Sequence, residues 1–195
     1  GLGIVLPAII AEGEGKWQTN LLRSELLDAL AKSAPRQMQR KLNEVVPVLS
    51  GLMWDTKAQV KAAATAAIAN VFACDTNTDL TEFVPEVIAC IEKPDLVPET
   101  VHKLAGVVFV QEVFGSSLAL MAPLLKRGMD EPVTATKRNC ARIIENMAKL
   151  VDDPYEVEPF IPVLLPTLAR AMDEVSDPEC RTVCEKAHEQ LSKTS

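Results

Sequence analysis

With 195 residues, 48% of them apolar and only 4% aromatic, the chain has ample Ala, Val, Leu and Ile for a core but little for an aromatic-rich barrel or sandwich. It has no uninterrupted apolar run of the ~18 residues that a membrane span needs. Its net charge of −7 is unevenly spread: residues 152–179 hold eight acids against Arg170, whereas residues 36–63 hold five bases against Glu44 and Asp55.

Five apolar runs each carry an anchoring proline: Pro7, Pro47, Pro85, Pro123 and Pro162, at steps of 40, 38, 38 and 39 residues. Two helical stretches per step of about 40 are the mark of a HEAT-type repeat, whose units cannot bury their apolar faces alone and must stack. The expected fold is therefore an all-α superhelix, a HEAT-repeat solenoid of about five helical hairpins. The hairpins fall at about 4–34, 43–72, 80–113, 116–151 and 159–192, within a single domain over 1–195.

In chain order, the opening helix is expected to break at Glu12-Gly13-Glu14-Gly15. A second helix from about Gln18 to Ser33 places Leu21, Leu22, Leu26, Leu27 and Leu30 on one stripe. In the second repeat, Asn43 reads as an N-cap with Pro47 in the first turn, and the helix closes near Trp54. Asp55 or Thr56 then caps a helix whose core face is Val60, Ala63, Ala64, Ala67, Ile68 and Val71. The third repeat pairs Leu80–Ile91 with Glu99–Val113 across Lys93-Pro94-Asp95-Leu96-Val97-Pro98, which its two prolines mark as a stiff loop. The fourth pairs Ser116–Met129 with Thr134–Val151. The fifth pairs Pro159–Met172 with Pro178–Ser192. The chain begins at Gly1 with neither an initiator methionine nor a basic leader, so it reads as a piece of something longer.

Cys74, Cys90, Cys140, Cys180 and Cys184 lie within periodic apolar stretches, contain no Cys-x-x-Cys pair, and read as reduced packing residues of a cytosolic protein. Cys180, Cys184 and His188 share one helix face but fall short of a complete ligand set, so no metal is expected. Gly13-Glu14-Gly15-Lys16 is not a phosphate loop. Trp17 stands where Ser or Thr is needed, and Ala11 stands in place of the first glycine. Leu49-Ser50-Gly51-Leu52 begins like the nucleotide-sensing signature of transporter-type ATPases and departs at once. His102 and His188 lie about two repeats apart and cannot share a site. His102 is read as a partly exposed cap at the start of a helix. Nothing here assembles a catalytic centre.

What remains is surface. Lys57, Lys61, Lys137, Arg138 and Arg181 fall near the starts of second helices, and Lys126-Arg127 falls at the end of a first helix. Two readings stay open. The bases form an internal ladder, bonding acids such as Asp55, Asp130 and Asp177, or they form a phosphate-facing ridge. Trp17 and Trp54, at helix junctions, are assigned to core packing. A cargo-binding solenoid would need exposed Asn and Trp at regular spacing, and only these two tryptophans are present.

Longer stretches carry a more specific pattern. They are Met53-Trp54-Asp55-Thr56-Lys57, Val60-Lys61-Ala62-Ala63-Ala64-Thr65-Ala66-Ala67, Pro98-Glu99-Thr100-Val101-His102 and Met121-Ala122-Pro123-Leu124-Leu125-Lys126-Arg127-Gly128. Ile143-Ile144-Glu145-Asn146-Met147 and Lys149-Leu150-Val151-Asp152-Asp153-Pro154 continue it. In this order and spacing they resemble the N-terminal HEAT domain of translation elongation factor 3 over nearly the whole chain. That family is a cytosolic, ribosome-dependent ATPase of the ABC class that assists release of exit-site tRNA during elongation.

The resemblance implies a cytoplasmic module that docks on the ribosome. Its expected contacts are the small-subunit head and the central protuberance, through ribosomal RNA and ribosomal proteins, with neither membrane nor DNA as partner. It also implies that ATP and Mg belong to nucleotide cassettes outside this stretch, which binds rather than hydrolyses and takes no cofactor. The candidate ribosome contacts are the bases inside the matching stretches: Lys57, Lys61, Lys126, Arg127, Lys137 and Arg138. The acids of 152–177 suit basic ribosomal proteins. Two alternatives stand beside this: the HEAT scaffold of a ribosome-associated activator of a starvation-response kinase, and a generic protein-binding solenoid.

Overall fold

A computed structural model describes residues 1–11 and 16–194; the expected break at Glu12-Gly13-Glu14-Gly15 lies outside them. No strand occurs among the described residues, and the fold is all-α of the HEAT type. Contacts divide the chain into two compact units, Gly1–Thr76 and Asn77–Ser195, each described by itself.

The first unit contains α1 (Leu2–Ile10), α2 (Trp17–Ser33), α3 (Pro35–Gln39), α4 (Leu42–Leu52) and α5 (Ala58–Phe72). The hairpins α1/α2 and α4/α5 stack like on like, with α1 against α4 and α2 against α5. Of the expected face on α5, Val60, Ala64, Ala67, Ile68 and Val71 are buried. The small alanines let α2 approach closely. Ser24, Leu27 and Ala31 are the buried positions of α2.

That corrects the expected leucine stripe. Leu27 is buried, but Leu22 and Leu26 are 54% and 40% exposed. Five leucines within ten residues cover more of a helix than one neighbour can bury, because each residue turns the wheel by about 100°. Asn43 is no cap either. The short α3 ends just before α4, which starts at Leu42 with Lys41 in the cap position. Pro47 therefore sits in the helix interior rather than the first turn, as Pro7 does in α1. Both rings are exposed, so the backbone bond each removes is lost on the solvent side.

The second unit contains α6 (Thr78–Thr81), α7 (Val84–Glu92), α8 (Val97–Leu104), α9 (Gly115–Asp130), α10 (Thr134–Ala148), α11 (Pro154–Val157), α12 (Ile161–Glu174) and α13 (Pro178–Thr194), with 3-10 turns at Pro94–Leu96 and Glu158–Phe160. Three hairpins, α7/α8, α9/α10 and α12/α13, stack within this unit in two layers. First helices run α7–α9–α12 and second helices run α8–α10–α13.

Three expectations for the third repeat change. Residues 93–98 are not all loop: Pro94 opens a 3-10 turn, and Pro98 lies in the first turn of α8, where a missing N–H is tolerated. Nor does the helix reach Val113. It stops at Leu104, and 107–113 run without helical structure. Asp79 holds this segment by accepting from the Val110 and Gln111 amides at 2.8 and 2.9 Å, and the Asn77 amide donates to the Glu112 carbonyl. His102, expected at a helix start, lies exposed in the last turn of α8.

Gly128 marks the tightest crossing. A Cβ there would overlap Cys140 Sγ and come within 3.4 Å of Val101 Cγ2, so α9 meets α8 and α10 through a bare backbone. All five cysteines are free and buried. Burial pushes the Cys184 thiol up to about 12 and raises Cys140 strongly, which keeps both protonated and inert.

Candidate docking surface

The two units differ in how they use the candidate bases. In the second unit, α9 ends on Asp130, flanked by Lys126 one turn earlier and by Arg170 from α12. Lys126 Nζ lies 2.9 Å from Asp130 Oδ2, and Arg170 pairs with Oδ1. Burial alone would raise the Asp130 carboxyl, but hydrogen bonds from Lys126 and Arg170 outweigh it and hold the group below its usual value. Arg127 donates to the Cys90 carbonyl at the end of α7 at 3.0 Å. Lys137, on the first turn of α10, donates to the Met129 carbonyl at the end of α9, where a cation also meets the negative end of the helix dipole. Arg138 crosses to the first turn of α13 and pairs with Glu179 at 2.6 Å. Lys103 bridges back to Glu86 on α7 at 2.9 Å. All of these but Lys126, whose partner lies on its own helix, join helix to helix.

In the first unit the cross-repeat ties come from neutral donors, two of which meet carboxylates. The Asn20 amide of α2 donates to Asp55 Oδ2 at 3.1 Å, and the Asn70 amide of α5 donates to Asp28 at 2.6 Å. Asp55 also accepts from the Lys57 backbone amide at 2.8 Å, so it orders the turn before α5, although the cap position itself is Lys57. Lys57 and Lys61 thus present their ammonium groups to solvent. Both residues are exposed, and neither side chain has a hydrogen bond or ion pair among the described residues. Arg36 and Arg40, at α3, are exposed too.

Trp54 overturns its core assignment: it is 55% exposed, three residues before Lys57. α4 already ends at Leu52, and Met53 fills the buried position behind it. Its place between a helix end and the Asp55 turn was the one sequence signal for this exposure.

Of the six candidate bases, Lys126, Arg127, Lys137 and Arg138 are engaged within the second unit, and Lys57 and Lys61 are unengaged in the first. The Asp55, Asp130 and Asp177 partnerships take other forms. Asp55 meets the Lys57 amide rather than its ammonium, Asp130 meets Lys126 and Arg170, and Asp177 accepts from the Cys180 amide at 3.2 Å.

Comparison with known proteins follows the same division. A family model described as "EF3 N-terminal HEAT repeat" matches residues 1–68, within the first unit. One described as "Elongation factor 3/GNC1 HEAT repeat" matches residues 95–195, within the second. The chain belongs to the elongation factor 3/GNC1 HEAT-repeat family.

Elongation factor 3 of Gonapodya prolifera is 46% identical over 191 residues, covering 97% of this chain and 18% of the relative. Elongation factor 3 of Pneumocystis carinii is 45% identical over 173 residues, 89% of this chain and 17% of the relative. Elongation factor 3B of Saccharomyces cerevisiae is 42% identical over 191 residues, again 97% and 18%. The chain spans less than a fifth of these relatives' lengths, and what it matches in the family models is HEAT repeat. The relatives' name and the model over 1–68 place it with elongation factor 3. No helix among the described residues is long and apolar enough to cross a membrane.

Proposed function

We propose that this HEAT segment is a ribosome-docking module of an elongation factor 3-type ATPase that assists exit-site tRNA release in the cytoplasm, and that it binds rather than catalyses. Nucleotide and Mg belong, in this reading, to cassettes elsewhere in the polypeptide. The single observation that carries it is the solvent-facing trio Trp54, Lys57 and Lys61 on the first unit, whose lysine ammonium groups are not engaged in the fold.

Phosphate neutralisation by such bases supplies affinity for RNA, and an exposed indole offers a stacking face to unpaired bases. Lys57 and Lys61 thus become the first candidates for ribosomal RNA at the small-subunit head or central protuberance. The acids of 152–177 suit basic ribosomal proteins. Arg127, Lys137 and Arg138 contribute indirectly, by holding the second unit's helices in register, and Lys126 by pairing with Asp130 on its own helix.

The experiment is co-sedimentation of the full-length protein with ribosomes at rising salt. Retention should weaken steadily as salt rises; retention indifferent to salt contradicts an electrostatic dock.

A further inference from the structure

We infer that Ser176, in the turn between α12 and α13, is a phosphorylation site for an acid-directed protein kinase. The sequence around it reads Asp173-Glu174-Val175-Ser176-Asp177-Pro178-Glu179. Among the serines and threonines of the chain, Ser176 alone is followed by an acid at both the first and the third position. A kinase with a basic substrate groove selects its acceptor by such a pattern, because opposite charges steer the encounter and fix its register. The turn also presents the acceptor. Residues 175–177 are non-helical, Ser176 is exposed, and its hydroxyl makes no hydrogen bond among the described residues. Thr182 also has an acid three residues on, but it lies inside α13. Stacked helical hairpins cover one another's sides, so a turn at the tip of a hairpin stays open to an enzyme.

The kinase brings ATP and magnesium. The Ser176 oxygen bonds to the γ-phosphorus, and the bond from that phosphorus to the β–γ bridging oxygen breaks. ADP leaves with the electron pair, and the hydroxyl proton passes to the kinase's catalytic carboxylate. The surroundings suit both recognition and product. Glu179 pairs with Arg138 through one oxygen, yet its side chain is 64% exposed, so the other oxygen can meet a basic groove. The phosphoserine carries about −1.5 to −2 charge at neutral pH, and nearby carboxylates repel it unless a base offsets them. Arg181 is that base. Its guanidinium donates to the carbonyl of Val175, the residue just before the acceptor, through one long bond of 3.4 Å. Arg181 has no ion pair among the described residues, so its remaining donors can turn to the phosphate.

The test incubates the folded full-length protein with recombinant casein kinase II, magnesium and ATP, and maps the products by peptide mass spectrometry. A known acidic peptide substrate in the same tube shows that the kinase is active. The expected result is one phosphoryl group on the peptide that contains Ser176, lost in Ser176→Ala and formed several-fold more slowly in Glu179→Gln. Ser176 is exposed and its side chain unbonded, so the alanine variant should fold as the parent does, which circular dichroism verifies. A Ser176 peptide left unmodified while the control substrate reacts overturns the inference. So does modification that proceeds only after heat unfolding, or that is as fast in Glu179→Gln as in the parent.

Discussion

The two units are built from the same repeat and spend their charge differently. The first, Gly1–Thr76, holds eight bases and seven acids; the second, Asn77–Ser195, holds twelve bases and twenty acids. The acidic unit ties several of its bases to neighbouring helices. Arg138 reaches Glu179, Arg170 reaches Asp130, and Arg127 and Lys137 reach carbonyls of neighbouring helices. The near-neutral unit makes cross-repeat ties through neutral groups such as Asn20 and Asn70, ties Arg23 to the Ile9 and Ala11 carbonyls and leaves Lys57 and Lys61 in solvent. The lesson is that a base at a repeat position carries no fixed meaning. Whether it joins helices or faces a partner depends on what the adjacent repeat offers at hydrogen-bond distance.

Four perturbations would break or sharpen this contrast. The largest effect is expected from Leu27→Ala, which empties a fully buried site between hairpins of the first unit. Such truncations cost roughly 2–5 kcal/mol. Both tryptophans, Trp17 and Trp54, lie in that unit, so indole fluorescence should report the loss directly in a urea titration.

Next is Gly128→Ala in the second unit. The added methyl must displace Cys140 Sγ or separate α9 from α10, at about 1–3 kcal/mol as overpacking. Far-ultraviolet circular dichroism should register a lower urea midpoint.

Third, Arg138→Ala removes a half-exposed tie to Glu179, whereas Lys57→Ala with Lys61→Ala removes none. The first should lower the urea midpoint slightly, within the ~0.2–1 kcal/mol of exposed pairs. The double change should stay within about 0.5 kcal/mol of the parent. A double mutant clearly less stable than Arg138→Ala would reverse the assignment of roles.

The smallest effect is pH-dependent. Asp130 is held below its ordinary value by Lys126 and Arg170. A carboxyl depressed on folding stabilises the protein above its unfolded value, and that contribution is lost as pH falls through the folded one. Asp130→Asn should therefore lower stability slightly at neutral pH, change little in acid where the contribution is already lost, and so flatten the acid limb of the stability profile.

Much of this was legible in the sequence, because stacking imposes periodicity. The proline interval fixed five hairpins, and the Val60–Val71 face emerged almost as patterned. What failed depended on contacts that a linear pattern does not encode. Leu22 and Leu26 look like core residues, and only the side of α2 taken by α5 reveals them as exposed. Asn43 looks like a cap, yet α3 ends so close to it that the cap falls two residues earlier, at Lys41. Val107–Val113 looks apolar enough to extend α8, but Asp79 and Asn77 hold that stretch away from helix through its backbone. For the candidate site, the types of residue were readable and their engagement was not. Four of the six bases have partners within the unit, three of them on neighbouring helices about 37 to 41 residues away or across an interhelical turn. The family resemblance supplied the ribosome as an expectation, but it could not say which bases are left over to meet it.

The most direct trial of that division is a charge-reversal comparison in ribosome co-sedimentation across a salt series. Lys57→Glu with Lys61→Glu should lower affinity and flatten the dependence of log affinity on log salt by roughly two, one for each phosphate no longer neutralised. Lys126→Glu with Arg138→Glu, measured where both variants are fully folded, should leave that slope close to the parent's. If instead the second pair flattens it and the first does not, the bases of the acidic unit face the ribosome and the proposed division of roles is wrong.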